Sequence, residues 1–267
     1  MSDEQYMDIE GVIRRPGSLL LPDNFVSSFP PFEGTPEMPL WDDADIRKVI
    51  SDPNRRNMRK LFPFAKYGTN QRSTSACNGH AAAIALTRAR KLRGIDDGLV
   101  FSGSFTYSRI NRGQDNGSIL EDGLRSIQEN GECSVDLCKW DMIYPQMQPA
   151  NAILEAAKHK GLACYRAMTR QGWRTGLAAG YMGIAAVMCG PKWDKITNGI
   201  SGVQSGRGNH AVCIEDIRIV NGHEVYDLPN SWGHGFGEQG RTLVTWDHFE
   251  QTFGSHAFYL IPTTAEG

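Results

Sequence analysis

Hydrophobic periodicity divides this chain in two, with a helical repeat before about residue 180 and strand-like runs after it. Asn78 to Leu92 is Ala-rich, with Ala82, Ala85, Leu86, Ala89 and Leu92 recurring at helical spacing and Gly94 as the stop. Phe101 to Ile110 carries closely spaced aromatics, and Ile119 to Glu129 places Leu120, Leu124 and Ile127 on one face before Asn130-Gly131 ends it. Residues 150–160 and 173–179 add further helix. Runs at 182–189, 210–220, 223–230, 241–246 and 256–262 then read as strands, and Asn221-Gly222 between two of them reads as a hairpin turn. Helices followed by strands predict an α+β fold with an antiparallel second half.

The first 65 residues form a third region. Prolines recur from Pro16 to Pro63 (Pro22, Pro30, Pro31, Pro36, Pro39 and Pro53 between them), and periodicity is weak. Proline fixes φ and removes a donor, so this stretch is expected to be an extended strap, with a short helix near 42–50. It reads as an arm wrapped over the domain, able to serve an assembly partner; the alternative is an inhibitory segment. The divisions expected are 1–65 for the arm, 66–155 for the helical half and 156–267 for the β half.

Composition excludes several classes. Lys and Arg total 28 against 30 Asp and Glu, which gives no basic groove for nucleic acid. No apolar run approaches the roughly 20 residues that span a bilayer. The opening MSDEQYMDIEGVIRRPG lacks the apolar stretch of a secretory signal, so no signal peptide is expected. Cys77, Cys133, Cys138, Cys164, Cys189 and Cys213 are too sparse for a disulfide scaffold and contain no CxxC pair, so neither metal nor cofactor is expected. The expectation is a reduced, cytoplasmic or virion-associated protein.

One of these cysteines has chemistry-bearing neighbours. Cys77 opens the Ala-rich helix, and a helix N-terminus favours a thiolate. Ser75 is placed to cap the free amides there, and Gly79 keeps bulk away. Gln71, six residues upstream, can donate a hydrogen bond from the approaching loop. In the β half, His210 starts one strand and Asn230 ends another after a hairpin's distance, so antiparallel pairing brings them together. A thiol, an imidazole to take its proton and an amide to orient the imidazole make a nucleophilic site. His80, three residues after Cys77, is expected to pack inside, and His159, His223, His234, His248 and His256 to take structural roles. The Arg88 to Arg93 cluster is expected to be a solvated face.

The stretch Gln71-Arg72-Ser73-Thr74-Ser75-Ala76-Cys77 resembles the nucleophile motif of papain-like cysteine peptidases. Asn209-His210-Ala211-Val212 resembles their histidine strand, and Asn230-Ser231-Trp232-Gly233, continuing to Phe236-Gly237-Glu238 and Gly240, resembles their Asn-bearing glycine-rich loop. Asp115-Asn116-Gly117-Ser118 is similar to the substrate wall that precedes a helix. The blocks follow the family's order over residues 66–262. The resemblance implies a helical left half, a β-barrel-like right half and an active site in the cleft between them. It also implies Cys77 as nucleophile, His210 as base, Asn230 as its orienter shielded by Trp232, and Gln71 with the Cys77 N–H as oxyanion hole. Asn116, Gly117, Ser118, Asn209 and Trp232 would bind substrate. Asn78 departs from the family's Trp, Thr74 from a disulfide cysteine and Ser118 from a glycine. The expected function is a thiol protease acting on peptide or protein substrates through an acyl-enzyme. The alternatives are an inactive structural or virion protein on the same fold and a cell-wall peptide hydrolase.

Overall fold

The computed structural model describes residues 5–8, 11–33, 39–161 and 163–263. Pro36 of the arm lies outside these residues. The arm opens with a small antiparallel hairpin, β1 (Tyr6–Met7) and β2 (Ile13–Arg14), and continues as extended chain. α1 (Asp43–Ile50) then starts where the Asp42 side chain accepts the Asp45 N–H, with Asp43 and Asp45 in its first turn and Arg47 and Lys48 in its last. One-turn helices α2 (Met58–Leu61) and α3 (Phe64–Tyr67) lead to the helical half.

That half is built on α4 (Cys77–Leu92), buried along its first thirteen residues. Its alanines and Gly79 let neighbours approach closely: a Cβ at position 79 would lie 2.9 Å from the Tyr107 nitrogen of α5 (Gly103–Ile110). α6 (Leu120–Asn130) packs on the same helix and ends at Gly131, whose φ of 77° is open to glycine at no steric cost. A 3₁₀ turn (Pro145–Met147) and α7 (Ala150–Ala156) complete it.

The second half comprises β3 (Tyr165–Ala167), α8 (Arg170–Ala178), β4 (Met182–Val187), β5 (His210–Ile214), β6 (Asp216–Val220), β7 (His223–Pro229), β8 (Arg241–Val244), α9 (Trp246–Glu250) and β9 (Phe258–Ile261). Asn221 and Gly222 both take positive φ, 51° and 80°, and close the β6–β7 hairpin at the Val220–His223 pair. The strands form two antiparallel sheets, β3-β9-β4-β5 and β6-β7-β8. Both are open, so the expected barrel does not close. Glu215 interrupts the 210–220 run between β5 and β6. Its N–H bonds the Asp227 carbonyl, while its carboxylate turns inward to Arg88 and Arg241, and the chain passes there from one sheet to the other.

β4 and β9 separate two apolar clusters by strict alternation. Ile184, Ala186, Tyr259 and Ile261 face α4 and α6; Ala185, Val187, Phe258 and Leu260 face Trp173, Trp193, Phe249 and the second sheet. Both faces are buried, which is why these strands read as continuous apolar runs. Arg88 corrects the expectation of a solvated cluster: it is wholly buried and donates to Glu215 at 2.6 Å. The six cysteines are buried free thiols. No helix among the described residues is long and apolar enough to cross a membrane.

Candidate active site

Cys77 is the first residue of α4, and its helix start carries no side-chain cap. Ser75, expected to cap it, faces the other way. Its N–H bonds Asp115 Oδ1 at 2.8 Å and its hydroxyl bonds the Asp115 carbonyl at 3.2 Å. The Cys77 Sγ accepts the Ala211 N–H at 3.3 Å, which joins the helix tip to the start of β5. His210, the preceding residue, bonds Asn230 Oδ1 through Nε2 at 2.9 Å. Oδ1 also accepts the Ser231 N–H at 2.8 Å, so it is the oxygen; Nε2 therefore carries the proton and Nδ1 holds a lone pair. Nδ1 is buried without a hydrogen-bond partner. The Trp232 ring covers the imidazole at a centroid distance of 4.8 Å, and Arg14 lies 5.2 Å from the Trp232 ring.

Gln71 is fixed at both ends of its amide. Oε1 accepts the Ser231 hydroxyl at 2.6 Å, and Nε2 donates to the Thr74 carbonyl at 2.7 Å and to the Arg15 carbonyl at 3.4 Å. The second acceptor belongs to the arm. Arm residues 15–21 run as a strand through the cleft: Ser118 N–H donates to the Gly17 carbonyl (2.8 Å), Leu19 N–H to Ser118 (3.0 Å), Ser18 N–H to Asn209 (2.9 Å) and Leu21 N–H to Ser255 (3.1 Å). Ser18 and Ser118 pair in parallel. Gly17 is required here, because a Cβ would lie 2.6 Å from the Ser75 carbonyl carbon. The hairpin beyond is held by Arg14, buried, with Nε 2.6 Å from Asp8 and a bond to the Trp232 carbonyl.

The expected wall residues divide accordingly. Gly117, with φ 81°, and Ser118 meet the arm, whereas Asn116 is exposed and bonds Gln114. Asn209 presents its carbonyl to the arm while its side chain pairs with the Cys189 backbone. His80 packs inside as expected, 5.6 Å from Trp140, with neither ring nitrogen hydrogen-bonded. Sequence reasoning missed Arg14, Arg15 and Gly17 in the arm and Tyr107 behind the wall, and it placed Asp115 in the wall motif without its bonds to Ser75 and Tyr107. The only sequence signal for the first group was a glycine beside a proline in an otherwise extended stretch.

Burial dominates the electrostatics. It raises the Cys77 thiol to about 11, against the hydrogen bonds from the Ala211, Gly17, Asn78 and Cys77 amides that favour the thiolate. It lowers His210 to about 4, with the Asn230 bond opposing and the Arg14 charge adding to the effect. Burial thus favours a neutral thiol and a neutral imidazole, against the helix-tip effect expected to favour a thiolate. Among the described residues, no group of three His, Cys, Asp or Glu side chains is placed to hold a metal ion.

Xylellain, a cysteine protease from Xylella fastidiosa, superposes with a TM-score of 0.68 at 15% identity, with all of both chains covered. The chain has the papain-like cysteine protease fold. ProCathepsin B S9 from Trypanosoma congolense (TM-score 0.66, 16% identity, 93% of this chain and 86% of that one) shares the papain-like fold. So does procathepsin L 3 from Tenebrio molitor larval midgut (0.63, 13%, 81% and 75%). No protein-family profile matches the sequence, and no curated protein is significantly similar to it. At these identities the likeness concerns the fold, and residue roles rest on the geometry above.

Proposed function

We propose that the protein is a papain-like thiol hydrolase that cleaves peptide bonds through an acyl-enzyme on Cys77. His210 Nδ1 takes the thiol proton as Sγ attacks the carbonyl carbon, and Asn230 keeps the imidazole in the tautomer that makes this feasible. Charge developing on the carbonyl oxygen is met by Gln71 Nε2 and the Cys77 N–H. The leaving amine takes its proton from His210, and a water activated by the same nitrogen then releases the acid. Trp232 keeps bulk water from the His210–Asn230 bond.

The observation that carries this reading is the path of the arm. An extended peptide backbone fits the cleft, with one carbonyl beside Gln71 and its neighbours pairing with Ser118 and Asn209. The same path favours an inhibitory segment over an assembly arm, so the arm-seated form is latent. The test is labelling of a Gly17→Val chain, in which the arm is lifted, with a thiol-directed peptide electrophile, mapped by mass spectrometry, alongside peptide turnover. Selective modification of Cys77, with turnover abolished in Cys77→Ala, is expected. Equal labelling of Cys164 or Cys213, or turnover surviving Cys77→Ala, would overturn the assignment.

A further inference from the structure

The wall that pairs with the arm is not free-standing. Asp115 Oδ1 accepts both the Ser75 N–H, two residues before the nucleophile, and the Tyr107 hydroxyl at 2.9 Å. The same hydroxyl accepts the Gly117 N–H at 3.0 Å. On the other side of the nucleophile, Asn78 Nδ2 donates to Ser118 Oγ at 2.9 Å and to the Ile119 carbonyl at 2.6 Å. Asn78 and Tyr107 are fully buried and Ser118 nearly so. The segment carrying Cys77 is therefore tied to residues 115–119 from both sides. Between the ties lie Gly117 and Ser118, and the Ser118 N–H and C=O are the groups that hold a chain in the cleft.

We infer that Asn78, Tyr107 and Asp115 are positioning residues, a bracket that fixes the distance and register between Cys77 and the peptide-pairing edge at Ser118. Asn78 and Tyr107 act through the edge; Asp115 does so through Oδ1, while its Oδ2 also lies 3.9 Å from Arg15 of the arm, a half-exposed ion pair separate from the bracket. An edge free to shift still pairs with a peptide, but places its carbonyl away from Sγ and Gln71. Asn78 thereby gains a role suited to a small amide rather than a large ring. Gly123 leaves it the room, since a Cβ there would stand 2.7 Å from Asn78 Oδ1. As a statement about substrate this rests on the proposed function; as a statement about the edge it does not.

The test uses the full chain and reads two quantities in Asp115→Ala, Asn78→Ala and Asp115→Asn. The last keeps an acceptor oxygen for Ser75 and Tyr107. The first readout is amide exchange at Leu19, whose N–H bonds Ser118. One or two lost hydrogen bonds correspond to exchange faster by about tenfold in both alanine variants, and by less than about threefold in Asp115→Asn. Ala185 and Val212, in β4 and β5, are expected to keep wild-type rates. The second readout is peptide hydrolysis with the same substitutions placed on a Gly17→Val chain, whose arm is lifted; there KM for an extended substrate is expected to rise by about tenfold with kcat changed far less, and Asp115→Asn to stay near the Gly17→Val parent. Gly123→Ala, which crowds Asn78 from behind, is expected to reproduce the exchange effect should Asn78→Ala fold poorly. Leu19 exchange unchanged in the alanine variants, or raised equally at Ala185 and Val212, would overturn the bracket. A folded Gly17→Val chain, its arm lifted, that hydrolyses no peptide would overturn the proposed function and leave the bracket to be judged by exchange alone.

Discussion

Gly17 is the position where one added methyl group tests the arm most directly. A Cβ there overlaps the Ser75 carbonyl group, which is backbone in the buried segment before Cys77 and has nowhere to retreat. A Gly17→Val chain must lift at this point. The two hydrogen bonds nearest Gly17, from Ser118 and to Asn209, go first; those of Leu19 and Leu21 follow if the strand peels. At about 1 kcal/mol net for each bond, two losses shift the closed–open balance by about thirtyfold and four by about a thousandfold. The assay is the rate of Cys77 carbamidomethylation by iodoacetamide at neutral pH, since Cys77 is fully buried with the arm in place. Cys164 and Cys213, buried elsewhere, report any global loosening in the same experiment. Acceleration between these limits at Cys77 alone is expected. An unchanged rate would refute the claim that the arm controls access to the thiol, and equal acceleration of all three cysteines would mean unfolding instead.

On the opened Gly17→Val background, Gln71→Ala is expected to reduce kcat by about 10²- to 10³-fold with little effect on KM, as loss of one oxyanion donor does; a KM effect alone would reassign Gln71 to binding. Arg88→Met leaves the buried Glu215 with Arg241 as its remaining partner. It is expected to lower stability by about 3 kcal/mol in urea unfolding, and a loss under about 1 kcal/mol would refute a structural role for the pair. The closed arm is also expected to have a pH window. His210 is held below its ordinary 6.5, so closure is fully stable above that value and weakens as pH falls toward about 4; Cys77 is held above its ordinary 9, so closure weakens again as pH rises toward about 11. The Leu19 amide signal in NMR spectra between pH 5 and 10 checks both flanks, and His210→Phe should shrink the acid flank only, leaving the part that belongs to His256, which burial also lowers to about 4 beside the Ser18 backbone.

How much of this was legible in the sequence depended on whether a feature is written in side chains or in backbone. Cys77, His210, Asn230 and Gln71 stand at the ends of periodic segments, where residue identity is informative; the structure bonds His210 to Asn230, Gln71 to Ser231 and the Cys77 sulfur to Ala211, the residue after His210. Asn221-Gly222 marked its hairpin because two positive φ values are needed there. The arm's route through the cleft is made of backbone hydrogen bonds that any sequence can offer, so only Gly17 hinted at it. Arg88 read as solvated because helical spacing says nothing of a partner 127 residues away. The 210–220 run read as one strand because Glu215, the break, is polar for a tertiary reason. Ser75 read as a cap because its better partner, Asp115, is 40 residues downstream.

The expectation that failed on magnitude is the most instructive. A helix N-terminus contributes about 0.3–1 kcal/mol toward a nearby anion, and up to about 2 in favourable buried geometry. Backbone amides of Ala211, Gly17, Asn78 and Cys77 favour the thiolate, yet burial outweighs them and favours the protonated thiol. The same burial lowers the proton affinity of His210, so the two groups proposed to exchange a proton are each favoured in the neutral form. On the proposed function, lifting the arm is expected to admit water to both and to move their affinities toward each other. Reactivity at Cys77 is then expected to rise in the open form through charge as well as access.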